Sequence, residues 1–130
     1  MRLGTAGIVA ALTLLACTNL AAPDAVGTWG GTEASLVLAP AGGTLSYACG
    51  AGVIDAGWSL SSDGRFAASG RHYLGGGPVP VTGRPPHPAR YAGRIERNTL
   101  TLTVTLTDLG QVLGPFHLYR GGPQVQEICV

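Results

Sequence analysis

The chain of 130 residues contains no lysine, and its eight basic residues are all arginine. Without lysine there is no P-loop, no Schiff base and no amine nucleophile. Charge of either sign is scarce. Only 12% of residues are charged and the formal net charge is +1, which excludes a strongly basic nucleic-acid binder by composition. Aromatic residues make up 6% of the chain, and its three cysteines lack the clustered histidines that a zinc site needs. No apolar run reaches the ~20 residues of a bilayer span. No amphipathic helix of useful length can be traced either, because Gly, Pro, Ser and Thr interrupt every candidate. Glycine is plentiful, with 21 Gly beside 9 Pro, but it follows no Gly-X-Y period, so collagen is excluded. The length accommodates one domain.

Met1-Arg2 is a short positive start, and the apolar run from Leu3 to Ala16 suits the core of a signal peptide. The segment Leu14-Leu15-Ala16-Cys17 resembles a bacterial lipobox, with Thr18 rather than Asp after the cysteine. That resemblance implies a diacylglyceryl thioether at Cys17, cleavage before it, acylation of the new N-terminus and, in a Gram-negative host, sorting to the outer membrane. The expected organisation is a signal peptide at 1–16, a lipidated tether at 17–25 and one β domain at 26–130. The general layout is similar to that of small bacterial lipoproteins, a resemblance that implies no activity. The expected location is the cell envelope, held to the membrane by lipid. Ordinary secretion and an uncleaved membrane anchor are the alternatives, the first weakened by the poor cleavage site Leu20-Ala21-Ala22. With Cys17 lipidated, Cys49 and Cys129 remain as a pair that an oxidising compartment joins. The loop they enclose is about 80 residues, for which chain entropy gives roughly 4 kcal/mol.

Alternation with period two dominates the remainder. The clearest case runs from Thr99 to Thr107, with Leu100, Leu102, Val104 and Leu106 on one face and threonines on the other. This reads as a half-buried antiparallel strand. Further strands are expected over 26–30, 34–38, 44–49, 53–60, 65–74, 90–97, 115–120 and 125–129, and Glu96-Arg97-Asn98-Thr99 reads as a hairpin turn. Short strands at this spacing predict an all-β fold, a small antiparallel barrel of about eight strands, with a β-sandwich as the alternative. Residues 75–89, with five prolines, read as an extended surface loop that does not pair within a sheet.

Gly27-Thr28-Trp29 followed by alternating strands resembles the opening of lipocalin-like and avidin-like barrels. In those families a Gly-x-Trp closes the narrow end, and a basic residue on the last strand packs over the Trp. The resemblance implies such a structural pair here between Trp29 and Arg120, which shares a face with Phe116 and Leu118. A cation–π contact of this kind contributes ~0.5–2 kcal/mol.

Chemistry-bearing residues are sparse. Asp63 and Asp108 read as turn residues, and Glu96 reads as the partner of a surface ion pair with Arg94 or Arg90. Asp55 shares parity with Val53, an inward position on that reading, and His72 shares parity with Phe66, so an acid–base pair between them is the minor alternative, though nothing in the sequence places them together. Otherwise His72, His87 and His117 read as surface or edge positions without metal-ligand spacing. No Gly-x-Ser-x-Gly elbow is present, and Gly75-Gly76-Gly77 precedes no helix. No catalytic residue, metal or cofactor is therefore expected. From Arg65 to Arg97 arginine predominates, and Arg65, Arg71, Arg90 and Arg94 should share one exposed face. Such a stripe suits lipid headgroups, lipopolysaccharide phosphates or an acidic protein partner, and not nucleic acid. Trp58 and Tyr73 are candidates to line the barrel mouth around a small apolar ligand. The leading expectation is a non-enzymatic binding or interaction module. A small hydrolase using Asp55 and a histidine, or an assembly factor acting by edge-strand addition, are the alternatives.

Overall fold

The computed structural model describes residues 24–75 and 83–125, and every regular element among them is a strand. In chain order these are β1 (Gly27–Gly30), β2 (Ala34–Ala39), β3 (Gly42–Tyr47), β4 (Gly50–Ile54), β5 (Ser59–Leu60), β6 (Arg65–Leu74), β7 (His87–Glu96), β8 (Thr99–Leu106) and β9 (Gln111–Arg120). Neighbours pair antiparallel in the order β4-β3-β2-β1-β9-β8-β7-β6-β5, and β4 also pairs with β6. That last pairing closes eight strands into a barrel and leaves β5 as a short flank on β6. Closure removes the free sheet edges that an open sandwich would carry.

Alternation builds the wall. In β8, Leu100, Leu102, Val104 and Leu106 are buried while the threonines between them are half-exposed. Trp29, Leu36, Leu45, Ile54, Tyr91 and Leu118 add fully buried apolar side chains from the other strands. Each such side chain contributes roughly 1.5–3 kcal/mol by leaving water. The lumen is thus occupied by the protein's own side chains.

The two ends of the barrel differ. One end, called here the tether end, carries the entry into β1, the β2–β3 turn, β5, the β7–β8 turn at Arg97-Asn98, and Arg120. The opposite end carries the β1–β2, β3–β4 and β8–β9 turns together with the start of β7. After Arg120 the chain turns back across the outside of β1 and β2. The Val125 N–H donates to Ser35 Oγ at 2.9 Å, and Gln124 donates to the Trp29 carbonyl at 3.3 Å. Gly30 makes this crossing possible, since a Cβ there would stand 1.9 Å from the Pro123 carbonyl oxygen.

Some boundaries differ from expectation. The segment 53–60 is two strands broken by a turn, and the strand expected at 44–49 ends at Tyr47, because Cys49 takes a left-handed turn conformation (φ 63°). Strand β7 begins at His87, so Pro88 and Ala89 lie in the sheet and not in a loop. Pro88, the second residue of β7, lies one position beyond the last β7–β8 pair, Ala89–Leu106; its carbonyl accepts the Thr107 N–H and its ring faces outward. β9 begins at Gln111, four residues before the expected 115, and a register shift in the β8–β9 ladder lies between Leu102 and Val104. Cys17, Cys129, the strand expected at 125–129 beyond Val125, and the middle of the proline-rich loop lie outside the described residues.

Candidate functional site

Strict alternation on β6 and β7 puts Arg65, Arg71, Arg90 and Arg94 on one outer face, with Phe66, Ala68, His72, Tyr91 and Ile95 turned inward. Arg65 sits directly opposite Arg94 in the β6–β7 register, and Arg90 opposite Ser69. Carboxylates answer three of the four guanidinium groups. Arg65 Nε lies 3.4 Å from Asp63, Arg94 Nε 3.1 Å from Glu96, and Arg71 Nη2 4.0 Å from Asp55. These pairs are solvent-exposed and contribute little stability. The Ser61 hydroxyl, which donates to Asp63, holds that carboxyl below its usual range, with a smaller contribution from Arg65. Arg90 is the one member of the stripe without a carboxylate partner among the described residues.

Two depressions flank the stripe. One, of about 410 Å³, is lined by Gly57, Ala67, Ala68, Ser69 and Arg90. The other, of about 700 Å³, lies on the β7–β8 hairpin and is lined by Arg94, Glu96, Arg97, Thr99 and Thr101. Of its lining, Arg94 belongs to the expected stripe and Glu96 to the expected ion pair, whereas Arg97, Thr99 and Thr101 were not read as part of a site. The threonines there were legible as the polar face of β8, but their register against Arg94 and Glu96 was not.

At the tether end, Arg120 lies over the Trp29 ring, 4.2 Å from its centroid. Arg120 also donates to the carbonyls of Asp24 at 2.5 Å and Val26 at 3.4 Å, while Trp29 Nε1 donates to Ala25 at 2.9 Å. Trp58 stacks at a tilt on Phe66, with centroids 5.7 Å apart, and its Nε1 donates to the Ala39 carbonyl at 2.8 Å. Tyr73 stands on the outer wall opposite Ala51. The two aromatics expected to line one mouth are therefore on different surfaces.

The lumen near the opposite end holds a polar cluster. His72 is fully buried, stacks on Tyr47, and shares a 2.5 Å hydrogen bond between its Nε2 and the Tyr47 hydroxyl. Its Nδ1 has no hydrogen-bond partner among the described residues. Burial, together with the neighbouring His87, holds the imidazole below its ordinary pKa and so in the neutral form. Tyr91 donates its hydroxyl to the Arg71 carbonyl at 2.7 Å, and burial pushes that phenol well above its usual value. At the rim, His87 Nδ1 meets Asp108 at 2.8 Å.

Two sequence readings are corrected here. Asp55 is exposed on the outer wall, beside Arg71 and apart from His72. The inward residues of β4 are Gly50, Gly52 and Ile54, so Val53 and the position sharing its parity face out. Among the histidines, His117 is exposed and His87 sits at the rim, but His72 is a core residue. Alternation puts His72 on the inward parity of Phe66, but its full burial was not legible, because the glycines of β4 leave the space that the Tyr47 and Tyr91 rings fill. Among the described residues no group of three or more potential ligands could hold a metal ion, and no helix is long and apolar enough to cross a membrane.

No protein-family profile matches this chain, no curated protein is similar to it, and no solved structure matches it.

Proposed function

We propose that this protein is a lipid-anchored, non-enzymatic module of the bacterial cell envelope that binds anionic groups through the outer face of β6 and β7. The observation that carries the reading is Arg90, an exposed arginine without a carboxylate partner among the described residues, lining the 410 Å³ depression beside Ser69. An unneutralised guanidinium beside a hydroxyl suits a phosphate or carboxylate that brings its own charge. The filled lumen supports an external site over a ligand held inside the barrel. The Trp29–Arg120 contact supports the lipocalin-like or avidin-like reading of the tether end. The C-terminal segment, which passes from Arg120 toward Ser35, heads for the end where Cys49 lies and supports a Cys49–Cys129 bond. The Asp55–His72 pair that the hydrolase alternative would use is not formed, since Asp55 lies beside Arg71 on the outer wall.

Two measurements test this. Intact mass of the protein extracted from its envelope, with and without reductant, should show a lipid adduct at Cys17 and the loss of two protons from a disulfide. Binding to an immobilised polyanion such as heparin should weaken about tenfold or more in the charge-reversed variant Arg90→Glu/Arg94→Glu. Unchanged binding would remove the arginine face from the proposal, and an unlipidated mass starting beyond Cys17 would make the protein diffusible.

A further inference from the structure

The hairpin depression and the anchor are linked through a single residue. The Arg120 side chain grips the incoming chain at the Asp24 and Val26 carbonyls, while its backbone N–H donates at 2.9 Å to the Asn98 carbonyl in the β7–β8 turn. Asn98 adjoins Arg97, and Arg97 lines the 700 Å³ depression with Arg94, Glu96, Thr99 and Thr101. The tether from Cys17 to Asp24 spans at most about 25 Å when fully extended. An anchor at Cys17 would therefore keep Asp24, and with it this end of the barrel, within that reach of the headgroups, a bound that the opposite end, with the His87–Asp108 pair, does not have.

From this arrangement we infer that the β7–β8 depression is a docking site for the phosphate of an anionic phospholipid in the membrane that holds the anchor. The inference rests on the lipid anchoring proposed above. Its chemistry is two guanidinium groups and two hydroxyls on one outer surface, with Glu96 as the single opposing charge. Thr101 stands opposite Arg94 in the register and Thr99 opposite Glu96. A hydroxyl thus lies beside each end of the Arg94–Glu96 pair and can donate to a phosphate oxygen. Arg97, at the tip, is the charge of the group with no carboxylate on it among the described residues. Docking turns a tethered barrel into an oriented module, because a basic residue near an anionic surface adds attraction that the tether alone lacks.

The test uses the full lipidated protein in two kinds of vesicle. One is phosphatidylcholine alone; in the other about one lipid in three is phosphatidylglycerol. Arginine-specific modification by phenylglyoxal is followed residue by residue by mass spectrometry, and retention on the vesicles is measured in the same samples. Modification of Arg94 and Arg97 should slow roughly fivefold on the anionic vesicles, with the protection lost at high salt. The variant Arg97→Gln should lose the protection of Arg94. Equal modification on both vesicles by a retained protein would overturn the docking site and leave the anchor standing. Equal protection by inorganic phosphate on neutral vesicles would overturn the bilayer as its source. Failure to stay on either vesicle would overturn the anchor and this inference with it.

Discussion

The Arg120 guanidinium lies 4.2 Å from the centroid of the Trp29 ring, across the shortest seam of the barrel. There β1 and β9 share only the pairs Trp29–Arg120 and Gly30–Tyr119. Most seams are joined by several backbone hydrogen bonds, so a seam this short depends more on its side chains. The same guanidinium binds two carbonyls of the entering chain, and Trp29 Nε1 binds a third. One ring and one cation thus hold the first strand, the last strand and the tether together.

This coupling is measurable. In a double-mutant cycle with Arg120→Met and Trp29→Leu, followed by urea unfolding, the interaction energy should be ~0.5–2 kcal/mol. Additive losses would mean that each residue acts through its own hydrogen bonds and not through the ring face.

His72 should make stability depend on pH. Its pKa lies below the ordinary 6.5 because burial disfavours the charged ring. The folded protein therefore binds fewer protons at this site than the unfolded chain as pH falls below that value. The contribution is fully present above pH 6.5 and is lost as pH falls from there toward the lower folded pKa. Unfolding free energy measured between neutral and mildly acidic pH should decline for the wild type and decline less for His72→Phe. Identical slopes would assign the dependence to other groups.

Gly52 and Tyr91 should behave as a complementary pair. A Cβ at Gly52 would stand 2.2 Å from the Tyr91 hydroxyl and 3.1 Å from His72 Nδ1. Gly52→Ala should therefore cost ~1–3 kcal/mol by overpacking. Tyr91→Phe alone should cost about 0.5–1.5 kcal/mol through its bond to the Arg71 carbonyl. The double variant should lose less than the sum, since removing the hydroxyl makes room for the methyl. Strict additivity in thermal or urea unfolding would show that Gly52 is required for another reason.

Much of the wall was legible beforehand. The nine-residue alternation around β8, the outward arginines of β6 and β7, the turn at Arg97-Asn98 and the barrel class follow from period two, which assigns each residue to a face from its immediate neighbours alone. β4 was misread by the same rule. It has glycine at two of its three inward positions, and a missing side chain carries no hydrophobic signal. Its true face emerges only when Tyr47 and Tyr91 are seen to fill the space.

Local alternation dictated strands, their faces and an all-β domain, because those properties depend on contacts within a few residues along the chain. The rest waited on pairings between distant segments. The β4–β6 ladder that closes the barrel, the burial of His72 against Tyr47, the turning of Asp55 toward Arg71, and the meeting of Arg94 with Thr101 all depend on register. Register is set by how whole strands pack and close around a shared core, and a slip of one residue sends every side chain of a strand to the other face.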